Sequence, residues 1–110
     1  MINGVLQIDK PKAESSASYI RRLSILEPEL KIGHCGTLDP MATGILVVCL
    51  NQMTRFASYL SSSEKTYQAC IYFGKKTSTG DSEGEVIDSK KFSFLDFSSK
   101  DIENTIQKFL

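Results

Sequence analysis

The residues best placed to do chemistry lie in one run, Gly33-His34-Cys35-Gly36-Thr37-Leu38-Asp39-Pro40, continued by Met41-Ala42-Thr43-Gly44. The run holds the only histidine of the chain and an aspartate followed by proline. Glycine and proline weaken helix and strand interiors alike, so the segment reads as an ordered loop that displays an acidic side chain. The residue before a proline is pushed out of the helical region, which restricts the Asp39 backbone. A carboxylate on a restricted backbone suits a nucleophile or general base, because positioning supplies much of a catalyst's advantage. An Asp-Pro turn among glycines is also ordinary turn chemistry, and on residue types alone that reading is the commoner one. His34 by type reads as a structural turn histidine, with contact to a nucleic-acid phosphate or base as the functional alternative.

Other chemistries find less support. No second Asp or Glu stands in the loop to make an acid/base pair. Ser15 and Ser16 lack the Gly-x-Ser-x-Gly elbow of a hydrolase and read as helix caps. The glycines match neither common phosphate-binding fingerprint, which leaves a small phosphate-binding or hydrolytic domain as a weak alternative. Three cysteines, an odd number with no Cys-x-x-Cys pair, argue against a disulfide framework and a zinc site. His34 and Cys35 are adjacent rather than at ligand spacing, so no metal is expected.

The elements that must position this loop follow from periodicity. Gly4–Asp9 alternates and is β-rich, so it reads as a strand closed by Lys10-Pro11. Tyr19, Ile20, Leu23 and Leu26 recur at helical spacing after Ser15-Ser16, with Pro28 beyond the stop. Residues 33–44 form the loop, and Ile45–Leu50 is a β-branched strand that suits burial. Gln52–Leu60 predicts a short helix and Thr66–Phe73 an alternating strand. Gly74–Gly84 reads as a polar connection whose Thr and Asp could touch a sugar–phosphate backbone. Glu85–Ile87 predicts a short strand, and Asp101–Leu110 a helix capped by Ser98 or Ser99. Helices and strands mix without a regular βαβ rhythm, which gives an α+β class with a mixed, largely antiparallel sheet and flanking helices. The sheet would keep exposed edges, so the chain is expected to be part of a larger domain.

Composition bounds the rest. The 110 residues are 41% hydrophobic and 24% charged, as in a globular domain. No apolar run approaches the ~20 residues of a membrane span, and the N-terminus lacks a basic region before its apolar residues, so a cytoplasmic location is the default expectation. A monomer is expected, although nothing in the composition bears on it. Net charge is zero, but residues 1–80 carry nine Lys/Arg against six Asp/Glu, and residues 81–110 carry four against seven. The basic excess around the glycine loop could face phosphates, although an ordinary mixed surface explains it equally well.

Taken in order, the segments resemble the N-terminal part of the TruB family of tRNA pseudouridine synthases. Gly4-Val5-Leu6 through Asp9-Lys10-Pro11 and Ser15-Ser16 resemble the family's opening Lys-Pro motif. Gly33–Gly44 resembles its signature loop, Lys65-Thr66-Tyr67 its Lys-x-Tyr motif, and Thr77, Thr79, Asp81 and Gly84 its Thr-x-Thr-x-Asp-x-x-Gly stretch. The resemblance implies an incomplete pseudouridine synthase fold, with residues 1–110 the N-terminal portion of a catalytic domain. The rest of that domain, including an arginine partner for the aspartate, and a C-terminal RNA-binding domain would lie outside these residues. It implies isomerisation of one uridine in the T arm of tRNA (position 55) to pseudouridine, with Asp39 as nucleophile on a flipped-out base and no cofactor or metal. Tyr67 would stack on the flipped base and His34 would sit by the T loop. Gly36, Thr37 and Lys10 join them as substrate-binding positions, with Lys10 and Pro11 also supporting the Asp39 loop. The family usually has Gly at position 13 and Thr at position 15, where this chain has Ala13 and Ser15. A truncated, non-catalytic RNA-binding or RNA-chaperone module is the alternative, and a guide-RNA-dependent relative a further one.

Overall fold

The apolar run at residues 45–50 becomes the middle strand of a small sheet, as its β-branched content predicts. A computed structural model describes all 110 residues. They divide into two units, Met1–Thr66 and Tyr67–Leu110. The first contains β1 (Gly4–Lys10), α1 (Ser16–Leu26), β2 (Ile32–His34), β3 (Gly44–Leu50), a 3-10 turn at Asn51–Phe56 and α2 (Ala57–Ser61). The second contains β4 (Lys75–Thr77), β5 (Val86–Ser89), a 3-10 turn at Phe94–Asp96, α3 (Ser99–Ile106) and a 3-10 turn at Gln107–Phe109. No helix is long and apolar enough to cross a membrane.

In the first unit the strand order is β1-β3-β2, with both pairings antiparallel. The register sets Ile8 opposite Leu46 and Lys10 opposite Gly44, and brings Ile32 and His34 of β2 beside Leu50 and Val48. Alternation along β3 then sends Leu46 and Val48 to one face, where they meet Ile20 of α1. Ile8, Leu23, Ile32 and Leu38 close over this cluster. Full burial of an aliphatic side chain, as at Leu46 and Val48, contributes about 1.5–3 kcal/mol, and the partly buried ones contribute less. Helix α1 starts where the Ser15 hydroxyl accepts from the Ser18 backbone N–H at 3.1 Å, which satisfies one of the orphan donors of the first turn.

The second unit is built on the β4–β5 hairpin, with a bulge at Lys76/Thr77, and on a ring cluster. Phe73 and Phe92 stack at 4.7 Å, Phe92 and Phe97 at 5.2 Å, and Phe94 meets Phe92 edge-on at 4.9 Å. Gly74 brings the two sides together. Its φ is +85°, and a Cβ there would lie 2.6 Å from the Lys90 carbonyl oxygen. Helix α3 begins with a capping box in which Ser98 and Asp101 satisfy each other's backbone. Two charge-free donors from Ser98 hold the Asp101 carboxyl below its usual range.

The class is α+β, as the element pattern predicts. Several details differ from the sequence reading, among them a strand, β4, inside the segment expected as a connection at 74–84. Residues 66–73 form no strand, because alternation assigns faces but cannot supply a ladder partner, and neither sheet includes them. The strands form two separate sheets of three and two strands rather than one. The expected loop at 33–44 begins inside β2, and the helix expected at 52–60 opens as a 3-10 turn before becoming α2.

Candidate functional site

The Asp39 loop is held by groups that arrive from distant parts of the chain. Lys10, at the end of β1, has 0% of its surface exposed. Its ammonium donates to the carbonyl oxygens of Pro11 at 2.8 Å, Glu14 at 2.7 Å and Pro40 at 3.3 Å. An ammonium has three N–H donors, so the three carbonyls use all of them. A buried cation is tolerated only when its donors are satisfied in this way.

The Pro40 carbonyl also accepts from the Ala13 backbone N–H at 2.7 Å. Ala13 reaches this position with a φ of +67°. That region strains any residue with a Cβ, which is the physical reason a glycine suits the position. On the other side of Asp39, the Ser16 hydroxyl accepts from the Leu38 N–H at 2.9 Å and donates to the Leu38 carbonyl at 3.0 Å. The Leu38 side chain packs against the core. The Asp39 carbonyl accepts from the Ala42 N–H at 2.9 Å, closing the turn around Pro40. Residues 38, 39 and 40 are therefore fixed through their backbones, while the Asp39 side chain is exposed.

The entry to the loop is set by β2 and by Gly36. The His34 Nδ1–H donates to the Gly36 carbonyl at 2.8 Å, which places the proton on that nitrogen and leaves Nε2 as an acceptor in the neutral ring. Gly36 adopts a φ of +120°. The Cys35 N–H donates to the Val47 carbonyl at 2.8 Å, and its thiol lies 3.1 Å from the Cys49 sulfur inside the unit. Burial, followed by the contact with Cys49, pushes the Cys35 thiol up to about 11. Cys35 is therefore not poised as a nucleophile, since the reactive form is the thiolate.

A second polar feature escaped the sequence reading. Lys31, Asn51, Gln52 and Arg55 line a concavity of about 280 Å³ where β2 begins and β3 ends. Asn51 organises it from a left-handed backbone with a φ of +52°. Its N–H donates to the Lys31 carbonyl at 2.8 Å and its side-chain oxygen accepts from the Lys31 N–H at 3.0 Å. The sequence signal for this pair of cations is only the mild basic excess of residues 1–80, because Lys31 and Arg55 lie far apart in the chain.

The expected site residues are thus distributed. Gly36, Thr37 and Asp39 share one loop of the first unit and His34 ends β2 just before it, with His34, Thr37 and Asp39 exposed. Tyr67 is exposed and opens the second unit, on chain without regular secondary structure rather than at a strand start. Lys10 is fully buried with its ammonium bonded to three carbonyls, an arrangement that suits the support of the Asp39 loop. The Thr77–Gly84 segment is a self-satisfied hairpin connection. The Asp81 carboxylate accepts from the Thr79 hydroxyl at 2.6 Å and the Glu83 N–H at 2.9 Å, and these bonds, the Thr79 one foremost, hold its carboxyl below the usual range. A Cβ on Gly84 would collide with the Thr79 hydroxyl oxygen, so only glycine closes this loop. No group of three or more His, Cys, Asp or Glu side chains is arranged to hold a metal.

A family model described as the TruB family pseudouridylate synthase N-terminal domain matches residues 21–110. The chain is 43% identical over 108 residues to a tRNA pseudouridine synthase B of Chromobacterium violaceum, covering 98% of this chain and 34% of that protein. It is 38% identical over 108 residues to the protein of the same name from Hamiltonella defensa, with 98% and 34% covered. The corresponding protein of Francisella tularensis is 42% identical over 108 residues, with 98% and 35% covered. The chain spans about a third of the length of the curated relatives it matches.

Proposed function

The chain belongs to the TruB family of pseudouridylate synthases, and from that premise we propose that residues 1–110 are the N-terminal portion of the catalytic domain of a tRNA pseudouridine synthase. The reaction is the isomerisation of the uridine at position 55 in the tRNA T arm. The observation that carries this reading is the pairing of an exposed Asp39 carboxylate with a backbone fixed on both sides of it. Such a group meets a substrate atom without first losing backbone freedom, which is where much of a positioned nucleophile's advantage arises.

In the proposed mechanism the target uridine leaves the stack, at a cost of a few kcal/mol of unstacking. Asp39 acts on the extruded nucleotide, the N1–C1′ bond breaks, the uracil turns, and a C5–C1′ bond forms. The proton on C5 is removed and N1 ends protonated, so the product is an isomer and no redox partner or cofactor enters. Tyr67 stacks on the extruded base, and His34, Gly36 and Thr37 line the approach to Asp39 beside the T loop. Lys31 and Arg55 supply positive charge for the sugar–phosphate backbone, which positions RNA without reading its sequence. The protein acts as a monomer in the cytoplasm.

The test is pseudouridine formation on a T-arm stem-loop by the full-length protein and its Asp39→Asn variant. Asparagine keeps the size and the turn but removes the nucleophilic charge. Loss of turnover with RNA binding retained is the expected result. Full activity in Asp39→Asn would remove Asp39 from the chemistry, and RNA binding without turnover by the unsubstituted protein would leave a non-catalytic RNA-binding module.

A further inference from the structure

We propose that Ser16 is a positioning residue for Asp39, a role that rests on the catalytic reading of that aspartate. Ser16 is the first residue of α1, and only 1% of its surface is exposed. A serine at this point of a helix is expected to serve its own helix, but that task falls to Ser15, whose hydroxyl caps the Ser18 N–H. The Ser16 hydroxyl turns to the loop instead and engages both backbone groups of Leu38, the N–H at 2.9 Å and the carbonyl at 3.0 Å. One hydroxyl can accept and donate at once, so it substitutes for a strand partner at a residue that has none in the sheet.

The consequence falls on the next residue. Leu38 supplies the carbonyl of the Leu38–Asp39 peptide, so the bond from Ser16 fixes the plane from which the Asp39 Cα emerges. Beyond Asp39, the Pro40 carbonyl is held by Lys10 and Ala13. The Asp39-Pro40 pair therefore stands between two peptide units anchored to different elements, Leu38–Asp39 to α1 and Pro40–Met41 to the end of β1. With Ser16 removed, the Leu38 N–H and carbonyl lose this partner, and the packing of the Leu38 side chain remains. A hydrophobic contact resists displacement but does not fix a peptide plane. Misplacement of a reacting group by about 1 Å reduces rates by about 100-fold.

The experiment compares Ser16→Ala, Ser15→Ala, Ser16→Cys and Asp39→Asn in the full-length protein. Each is measured for thermal midpoint, T-arm stem-loop Kd and single-turnover rate of pseudouridine formation. Ser15→Ala is the stability control, since it removes a hydroxyl from the same turn and leaves the Leu38 bonds in place. The expected result is a fall of about 100-fold in the single-turnover rate for Ser16→Ala with Kd changed less than about twofold, while Ser15→Ala keeps its rate despite a lower midpoint. Ser16→Cys, which keeps the side-chain volume with weaker hydrogen bonds, falls between, and it carries the comparison if Ser16→Ala does not fold. A wild-type rate in Ser16→Ala or in Ser16→Cys overturns the proposal, as does an equal rate loss in Ser15→Ala. Full activity in Asp39→Asn overturns the underlying catalytic reading instead, so the two failures are distinguishable.

Discussion

The ammonium of Lys10 and the carbonyl of Pro40 meet at 3.3 Å across 30 residues of chain. The bond joins the end of β1 to the residue after Asp39. Methionine at position 10 would keep the length and apolar stem but leave the Pro11, Glu14 and Pro40 carbonyls without their shared donor. Hydrogen bonds to charged groups contribute about 1.5–3 kcal/mol each, partly offset by the desolvation of the ammonium. Lys10→Met is therefore expected to destabilise the protein by about 2–3 kcal/mol in denaturant titration. An unchanged midpoint would mean that the buried charge contributes nothing net to the loop.

Ala13 offers the opposite change. Its φ of +67° carries a penalty that glycine avoids, while glycine brings more entropy to the unfolded chain. The balance favours glycine by about 0.5–1 kcal/mol where the native φ is left-handed. Ala13→Gly is expected to raise the unfolding midpoint, and a lower midpoint would show that the turn relaxes to accommodate the methyl group.

The burial of Cys35, with its contact to Cys49 second, makes stability depend on alkaline pH. The folded protein keeps the Cys35 proton up to about 11, against 9.0 for an unperturbed thiol, chiefly because the group is buried. Between those values the unfolded chain binds fewer protons than the folded one, so stability is full below about pH 9 and falls as pH rises toward about 11. Other groups titrate in the same window, so the measurement is the difference between the parent protein and Cys35→Ala. That difference is expected to shrink as pH rises, and a constant difference would contradict the shift. In the native state at pH 8, iodoacetamide should modify exposed Cys70 well before buried Cys35 or Cys49.

Lys31 and Arg55 are expected to act through charge. Removing one cation from a phosphate lowers the slope of log K against log salt by about one. Lys31→Ala and Arg55→Ala should each weaken T-arm binding and flatten its salt dependence by about that amount, with the single-turnover rate at saturating RNA little changed. An unaltered slope in both variants would place the RNA backbone elsewhere.

The sequence by itself determined the parts of this protein that depend on local pattern. The β-branched run at 45–50 and the helical spacing from Tyr19 to Leu26 each encode a backbone preference within a few residues, and both elements formed where expected. Glycines and Asp39-Pro40 likewise marked the loop, and the motifs along the chain carried the family. Tertiary structure decided what depends on partners far along the chain. β2 has only three residues, too few to show alternation, and exists because β3 offers it an edge. Residues 66–73 alternate well and still form no strand, for want of a ladder partner. Nothing local to Lys10 shows that carbonyls from residues 11, 14 and 40 converge on its ammonium. Ser16 reads as a cap until Leu38 arrives beside it. The division has one physical cause: side-chain types set local dihedral preferences, whereas the satisfaction of buried donors and acceptors is settled only when distant segments meet.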